Sequence, residues 1–358
     1  MKVGSGIFRA SPKTAGRRLL FQLVKIVSSS ATPIDVSVVI VSFNTREVLR
    51  ECIQTLKRET SEVTIETIVV DNASADGSAD MVEKEFSRVK LVRSAVNLGF
   101  AAANNRGFAL AEGRYVSQLN SDAFVNPGAL DLVVKHMDAR PQVGLGGGRL
   151  VGRDGSWQPS LRKFPSPLNE ALNLTGLAAK YRRSRFFGRA DKTWADPLES
   201  GPADWVPGAF TLIRREILEQ IGHLDERFFL YFDDVDLCRR VKALGYAVWY
   251  FPDVVVTHVG GGSARAVSHI RLSSSGVQLV LWRMRSQLLY HRKYHGAFGA
   301  WLTMMLEISW NWLRALYNSR PKLPAQGGKA QEARNLIAIN RQAWRETRGG
   351  RVCPPKPW

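Results

Sequence analysis

Short apolar runs alternate with segments of helical spacing from Val36 onward. The run Val36 to Ser42 is rich in β-branched residues and predicts a buried strand, and Thr45 to Lys57 carries one apolar face of helical period. Further strands are predicted at 64–70, 90–93 and 115–119, and further helices at about 76–86, 100–111 and 127–139. Repeated strand–helix units predict an α/β fold with a mainly parallel sheet flanked by helices.

The segment 140–200 interrupts this alternation with the glycines 146–148 and many Arg and Pro residues. We therefore interpret it as an insertion or as a flap over an active site. A regular pattern returns afterwards. It predicts a strand, two helices and two short strands at 205–214, 215–221, 234–244, 247–250 and 254–256.

A Trp-rich apolar helix is predicted at 297–317. Three interpretations stay open for it: a helix lying in a membrane interface, a helix packed on the rest of the protein, or a membrane-spanning helix. Glu307, Asn311 and Arg314 are expensive in hydrocarbon, whereas Trp residues with basic neighbours are typical of the interface, which we favour. Beyond Pro321 the polar, basic tail is expected to be loosely ordered.

The net charge of +18 is unevenly distributed along the chain. Residues 1–34 hold six Lys/Arg and no acidic residue, and residues 254–358 hold sixteen against three. The segment between them is nearly neutral. Basic flanks of this kind bind nucleic acid or an anionic membrane surface. Residues 17–27 are expected to form a short basic amphipathic helix rather than a cleaved signal.

The three cysteines are widely spaced and odd in number. This usage argues against a disulfide framework and fits a reducing compartment. No Cys/His cluster has the spacing of a zinc site.

Three carboxylates, Asp233, Asp234 and Asp236, follow directly after a run of aromatic residues. Clustered aspartates repel one another, and burial beside apolar groups raises their pKa values. Such clusters occur where a site needs a base or holds a cation. Another carboxylate, that of Asp71, ends a predicted strand and could accept a hydrogen bond from the ring N–H of a pyrimidine base. The alternative is that the polar residues from Asp71 to Ser78 only cap the next helix.

Asn120-Ser121-Asp122 ends another strand, and His258 follows the strand at 254–256. A carboxylate at a strand end beside a diphosphate suits Mg²⁺ or Mn²⁺, and a histidine could complete the set of ligands. An Asx turn and a purely structural histidine remain the alternatives. Gly99, at a strand-to-helix turn, would let a ligand approach the backbone closely.

Five ordered motifs within residues 35–262 resemble glycosyltransferase family 2, in particular its bacterial rhamnosyltransferase and galactofuranosyltransferase subgroup. The motifs are 38–44, 71–78, 97–101, 119–122 and 229–240. The resemblance implies a GT-A fold and inverting transfer from a nucleotide-diphosphate sugar. It implies general base catalysis by Asp234, with Asp233 as its catalytic neighbour, and metal binding by Asp122 and His258. Asn120 stands where the family's metal motif often begins with aspartate, which weakens the expected metal site.

The remaining site residues follow from the same resemblance. The residues expected to bind the nucleotide are Ser42, Asn44, Asp71, Asn97 and Gly99. The residues expected to bind the acceptor are Trp205, Gly208, Asp225 and Glu226.

The resemblance also suggests the partners. We expect dTDP-rhamnose or a UDP-sugar as donor and a lipid-linked saccharide as acceptor, and no nucleic acid. The protein is then expected on the cytoplasmic, inner face of the cell membrane, docked through its basic flanks. Competing hypotheses are a sugar-phosphate nucleotidyltransferase, which would need a Gly-rich basic loop after the first strand, a nucleic-acid-binding protein, and an inactive relative.

These expectations divide the chain into four parts. A basic extension (1–34) precedes a GT-A catalytic domain (35–262), a helical, membrane-associating region with amphipathic helices (263–320) and a basic tail (321–358).

Overall fold

A twisted sheet forms the centre of the molecule, in a computed structural model that describes residues 33–260, 275–319 and 324–354. Its strands are β1 (Val36–Ser42), β2 (Ile65–Asp71), β3 (Lys90–Arg93), β4 (Tyr115–Asn120), β5 (Ala123–Val125), β6 (Val143–Val151), β7 (Trp157–Gln158), β8 (Gly201–Ala203), β9 (Phe210–Arg214) and β10 (Ala247–His258). The order is β3-β2-β1-β4-β9-β6-β10-β5, with β7 beside β6 and β8 beside β10.

The first four strands of that order pair in parallel, and β9 runs antiparallel between β4 and β6. The helices are α1 (Arg46–Glu59), α2 (Ser78–Glu85), α3 (Phe100–Phe108), α4 (Ala129–Asp138), α5 (Pro167–Leu174), α6 (Leu177–Lys180), α7 (Arg215–Ile221), α8 (Asp233–Ala243), α9 (Ser275–Tyr317) and α10 (Pro324–Glu346). The predicted α/β class with a mainly parallel, helix-flanked sheet is confirmed.

Successive residues of β1 enter two different cores. Val38 and Ile40 pack with α1, whereas Val39 packs with α3 on the opposite face of the sheet. Side chains alternate between the two faces of a strand, so a strand covered on both sides is apolar at most positions, as β1 is apart from Ser37 and Ser42. All seven residues of β1 are buried, which explains why its position could be predicted from the β-branched run.

The glycine-rich part of 140–200 is not a flap, and this prediction was wrong. Residues 146–148 lie inside β6, which pairs with both β9 and β10 in the middle of the sheet. A Cβ on Gly147 would lie 2.7 Å from the side chain of Val206, and one on Gly148 would lie 2.5 Å from the carbonyl oxygen of Val254. Glycine is required in this strand because neighbouring segments of the same polypeptide approach it too closely for any side chain.

The two short strands predicted at 247–250 and 254–256 form one strand, β10. It crosses Pro252, and its register with β6 shifts between Phe251 and Val255. A bulge there accommodates the proline, which cannot donate a ladder hydrogen bond.

The tail was predicted to be loosely ordered, and this was also wrong for its described part. Helix α10 packs along α9. Its buried positions include Ala333, Ile339, Asn340 and Ala343. Ala333 and Asn340 are seven residues apart, Ile339 and Ala343 four, and Asn340 and Ala343 three, so all four lie on one face of the helix. Apart from Ile339, these buried positions hold alanine or asparagine, so the contact face is less apolar in sequence than that of most packed helices.

Helix α9 consists of two arms that meet at Gly296, whose backbone is non-helical (φ 69°, ψ −169°). The second arm corresponds to the predicted helix at 297–317. Within the described residues no helix has the length and apolar content needed to cross a bilayer. The predicted basic helix at 17–27 lies outside the described residues, as do the glycines after Gly260.

Candidate active site

A cavity of about 440 Å³ opens where β4 and β10 end and β9 begins. It brings together residues that lie far apart in the chain. Its lining includes Asn120, Trp205, Gly208, Asp233, Asp234 and His258. Ligands in open α/β sheets bind at this carboxyl edge of the strands, so the cavity is the candidate active site.

Asp234 presents an oriented carboxylate to the cavity. It lies in the first turn of α8, where its Oδ2 accepts a hydrogen bond from Gly208 N at 3.0 Å and its Oδ1 accepts one from Val235 N at 2.8 Å. Burial raises the pKa of Asp234, while these backbone donors lower it. A raised pKa makes the carboxylate a stronger base than an exposed aspartate.

Asp233 differs from its neighbour in exposure. It is almost fully buried, and its Oδ2 has no hydrogen-bond partner in the described part of the chain. Burial raises the pKa of Asp233 well above the usual value, and the charge of Asp234 raises it further. Two adjacent carboxyls cannot easily both ionise, so one of them stays protonated. Asp234 is favoured as the ionised partner because backbone N–H groups donate to its carboxylate.

The segment before α8 has an unusual backbone. Tyr231 and Phe232 both have φ of 68°, a left-handed conformation that costs non-glycine residues free energy. Helix α9 supports this segment. Phe232 packs on Tyr290 with ring centroids 5.3 Å apart, and Ser286 Oγ donates to the carbonyl oxygen of Leu230 at 2.8 Å. Helix α9 thus fixes the segment that leads to Asp233 and Asp234, a role that sequence patterns did not reveal.

Asp236, the third carboxylate of the cluster, is held by hydrogen bonds between helices. It is completely buried and accepts hydrogen bonds from Lys293 Nζ at 2.5 Å, Tyr294 OH at 2.6 Å and Arg240 Nε at 2.7 Å. These contacts join α8 to α9.

The structure does not bring Asp225 and Glu226 to the cavity lining. Asp225 pairs with Arg227 and with Lys293 Nζ at 2.8 Å, and Glu226 accepts a hydrogen bond from Asn105. Of the residues expected to bind the acceptor, Trp205 and Gly208 do line the cavity. They come from the segment between β8 and β9.

Asp122 and His258 lie side by side at the strand ends. The Oδ1 of Asp122 is 3.5 Å from Nε2 of His258, because β10 pairs with β5 immediately after Asp122. Nδ1 of His258 faces Oε1 of Gln158 at 2.9 Å, and Gln158 Nε2 donates to the backbone carbonyl of His258 at 2.8 Å. The amide orientation of Gln158 is therefore fixed, and its oxygen requires a proton on Nδ1.

In this neutral tautomer Nε2 carries a lone pair, and it lies 3.5 Å from Asp122 Oδ1 and 3.4 Å from Asn120 Nδ2, which can donate to it. A second-shell acceptor that holds Nδ1–H is the usual support of a metal-binding histidine. Two electron-rich atoms that face each other suit a shared cation, and the buried Oδ1 of Asn120 beside them has no partner in the described residues. The described residues contain no group of three or more His, Cys, Asp or Glu placed to hold a metal ion. The donor pair fits a hard divalent cation that takes its other ligands from a diphosphate and water.

The residues expected to bind the nucleotide line the neighbouring edge of the sheet. Ser42 and Asp71 are paired in register at the ends of β1 and β2. Asp71 is buried, its Oδ2 accepts from Ser74 N at 3.1 Å, and its Oδ1 has no partner within the described residues. An unpartnered buried acceptor at this edge suits the N–H of a base.

Asn44, Asn97 and Gly99 shape the same edge. Asn44 Oδ1 accepts from Ala75 N at 2.7 Å, and Asn97 Oδ1 accepts from Gly99 N at 2.9 Å. Gly99 has φ of 85°, and a Cβ there would lie 2.5 Å from the ring of Phe229. These residues hold loops in position, which is compatible with a binding edge.

We expect Gly208→Ala to lower kcat roughly tenfold to a hundredfold. Its Cβ would lie 2.6 Å from Gln118 Nε2 and 3.2 Å from Cβ of Asp234, and so would displace the N–H that orients the carboxylate. A hydrogen bond to a charged group contributes about 1.5–3 kcal/mol. Gly201→Ala is the matched control, because no atom lies within 4 Å of its Cβ. Wild-type kcat for Gly208→Ala would contradict this role.

Residues 37–222 match the family model described as "Glycosyl transferase family 2". The chain belongs to this glycosyltransferase family. The match covers half of the chain and includes the strand-end residues Ser42, Asp71 and Asp122. The family assignment made from the motifs is thereby confirmed, and four of the five motifs lie within the match, the fifth, 229–240, lying beyond it.

Several proteins are similar to this glycosyltransferase. An N-acetylglucosaminyl-diphospho-decaprenol L-rhamnosyltransferase of Mycobacterium tuberculosis is 29% identical over 209 residues, which is 55% of this chain and 67% of that protein. Among solved structures, a mannosyltransferase from Pyrobaculum calidifontis in complex with GDP-Man and Mn²⁺ has a TM-score of 0.45 at 19% identity, covering 89% of this chain and 76% of that one. GalNAc-T7 with UDP, GalNAc and Mn²⁺ has a TM-score of 0.49 at 16% identity, covering 72% and 52%.

Two contributors to the site of this glycosyltransferase were missed from the sequence. Gln158, which orients His258, is 100 positions away from it, and Arg283 reaches the cavity from α9. Neither stands in a recognisable motif, and only the folded chain brings them to the strand ends.

Proposed function

We propose that this glycosyltransferase transfers rhamnose from dTDP-rhamnose to a hydroxyl of a polyprenyl-diphosphate-linked saccharide, a precursor of a cell-envelope glycan, with inversion at the transferred carbon. A UDP-sugar is the alternative donor. The observation that carries the proposal is the oriented carboxylate of Asp234 in a cavity beside the Asp122–His258 pair. The name of the mycobacterial relative supports both the sugar and the acceptor class.

An inverting transfer forms the bond from the acceptor oxygen to C1 while the bond from C1 to the diphosphate breaks. Asp234 takes the proton of the attacking hydroxyl, and the backbone donors of Gly208 and Val235 hold its carboxylate in place. The electron pair leaves with the nucleoside diphosphate. Asp122 and His258 would hold Mg²⁺ or Mn²⁺, which when bound offsets the charge that develops on the leaving diphosphate.

The second arm of α9 has its polar and apolar faces reversed relative to an ordinary surface helix. Thr303, Glu307 and Asn311 are buried on its inner face. The outer face exposes large apolar side chains at helical spacing, namely Phe298, Trp301, Trp312, Leu313, Leu316 and Tyr317. We name these six residues the aromatic stripe. A helix that turns its apolar face outward suits a surrounding less polar than water.

The positive charge of the C-terminal region favours an anionic bilayer as the less polar surrounding that the aromatic stripe faces. Basic residues far outnumber acidic ones after residue 254, and all three acidic residues there are paired, Glu307 with Arg283, Glu332 with Arg314 and Glu346 with Arg285. An anionic leaflet attracts such a region by roughly 1 kcal/mol for each Lys or Arg near its surface. We therefore place the enzyme on the inner face of the cell membrane, where a lipid-linked acceptor lies.

Replacing Trp301 and Trp312 with Ser should lower vesicle binding at least roughly tenfold, because each large apolar side chain removed from water contributes about 1.5–3 kcal/mol. Flotation with anionic and neutral vesicles at low and high salt measures this. Trp194→Ser is the control, since Trp194 is exposed but lies outside α9. Unchanged flotation of the double variant, or equal binding to both lipids at all salt concentrations, would contradict the docking surface.

A further inference from the structure

Arg283 is a cation that lines the cavity from outside the matched family region. It lies on the first arm of α9 and shares the cavity lining with Asp234 and Tyr231. Its side chain is 44% exposed, and its carboxylate partner, Glu307, is 3.8 Å away. This ion pair is long, and Glu307 also accepts a hydrogen bond from Asn340 at 3.4 Å. The guanidinium therefore retains donors for a ligand.

The ion pair also reveals how α9 is folded. Residues 24 positions apart on a straight helix lie about 36 Å apart, yet Arg283 and Glu307 are in contact. The two arms therefore lie side by side, reversed at Gly296. Glu307 is on the inner face of the second arm and the aromatic stripe is on its outer face. Arg283 thus lies about one helix diameter, roughly 10–12 Å, from the surface proposed to face the membrane.

That distance suits a lipid diphosphate. An interfacial helix buries its apolar face roughly 5–10 Å deep at the boundary of headgroups and acyl chains, so a group roughly 10–12 Å above that face lies at the level of the headgroups or just above them. An acceptor anchored by its lipid in that layer would carry its diphosphate to the level of Arg283, and its saccharide further into the cavity towards Asp234. A guanidinium binds two phosphate oxygens at once, which suits it to this group.

Three Lys or Arg side chains of the described residues line the cavity, and Arg283 is the one on α9, beside the arm that carries the aromatic stripe; the other two are Arg162 and Lys163. Arg162 donates to Asp191 at 2.6 Å and stacks over Trp205 at 4.4 Å, so it is engaged. Burial raises the pKa of Glu170 to about 7, and this lining carboxyl is therefore largely protonated below neutral pH and repels an anion little.

We infer that Arg283 binds the diphosphate of the lipid-linked acceptor and so sets how far the saccharide reaches towards Asp234. This inference rests on the proposed function. It assigns acceptor recognition to the C-terminal helices, whereas donor binding belongs to the strand ends of the family region. Arg283 would be a specificity-determining residue for acceptors that carry a diphosphate.

The test compares Arg283→Gln with wild type on two soluble acceptors. One is a saccharide joined through a diphosphate to a short lipid, and the other is the same saccharide as a neutral alkyl glycoside. We expect KM for the diphosphate acceptor to rise about tenfold to a hundredfold, the range of a lost charge-assisted hydrogen bond. KM for the donor and for the neutral acceptor should change less than about threefold. Arg283→Lys should recover part of the loss.

Arg314→Gln is the matched control, because Arg314 lies on the same helix and has a similar long ion pair, 3.5 Å to Glu332. An equal rise with this variant would overturn the inference, as would an unchanged KM for Arg283→Gln. A rise in donor KM would assign Arg283 to the donor diphosphate, and equal losses on both acceptors would indicate a structural role; either result overturns it. If wild type itself transfers sugar to neither acceptor, the proposed function fails and the inference fails with it.

Discussion

Asp234→Asn is expected to lower kcat by about 10²–10⁴, the usual contribution of a general base, while KM for the donor stays close to wild type. The amide keeps the shape of the side chain and can still accept a hydrogen bond from Gly208, but it cannot take a proton from the acceptor hydroxyl. The measurement is steady-state release of nucleoside diphosphate with varied donor and acceptor.

The pH profile gives a second readout of the same residue. Burial raises the pKa of Asp234, and only the ionised carboxylate is active. The rate should therefore rise with pH through that raised pKa and reach a plateau above it. Asp236→Asn is the comparison, because its contacts with Lys293 and Tyr294 are structural, and it should lower Tm more than it alters the pH profile. Wild-type turnover by Asp234→Asn would refute the assignment.

Asp122→Ala and His258→Ala are expected to have the second largest effect. Each removes one of two donors from the strand-end pair, whose atoms lie 3.5 Å apart. KM for the donor in the presence of Mg²⁺ or Mn²⁺ should rise, and kcat/KM should fall by at least about 10²-fold, because the leaving diphosphate loses its cation. Titration of donor and metal together measures both quantities.

The chain provides a control for these substitutions. His136 and Asp253 form another His–Asp pair, 2.6 Å apart, on a different part of the fold. His136→Ala should leave the metal dependence of the rate unchanged. Full activity of the wild-type enzyme in excess chelator would refute the metal site for both residues.

The strand-end residues could be predicted because each strand that carries them has a distinct apolar pattern. The run at β1 is buried on both faces, and the register of β1 with β2 then places Ser42 beside Asp71. The same reasoning placed Asp122 at the carboxyl edge next to β1. Local sequence and strand pairing therefore determine where these strand-end residues lie.

The errors have physical causes. Glycines in β6 were interpreted as a flap because glycine is frequent in loops, but here Val206 and Val254 approach the strand too closely for a side chain. Alanines and Asn340 occupy most of the buried positions of α10, which hid its packed face. The contribution of α9 to the site depends on the packing of its first arm on the segment before α8, through Ser286 and Tyr290, which brings Arg283 to the cavity. Packing of this kind is tertiary structure, and no pattern within the arm indicates it.

The most direct test of the account is the product that the purified chain makes from dTDP-rhamnose and a polyprenyl-diphosphate-linked saccharide. We predict release of dTDP and a saccharide enlarged by one rhamnose, with the anomeric configuration opposite to that of the donor, as determined by mass spectrometry and NMR. A product that retains the donor configuration, or formation of a nucleotide sugar from a sugar phosphate in place of transfer, would contradict it.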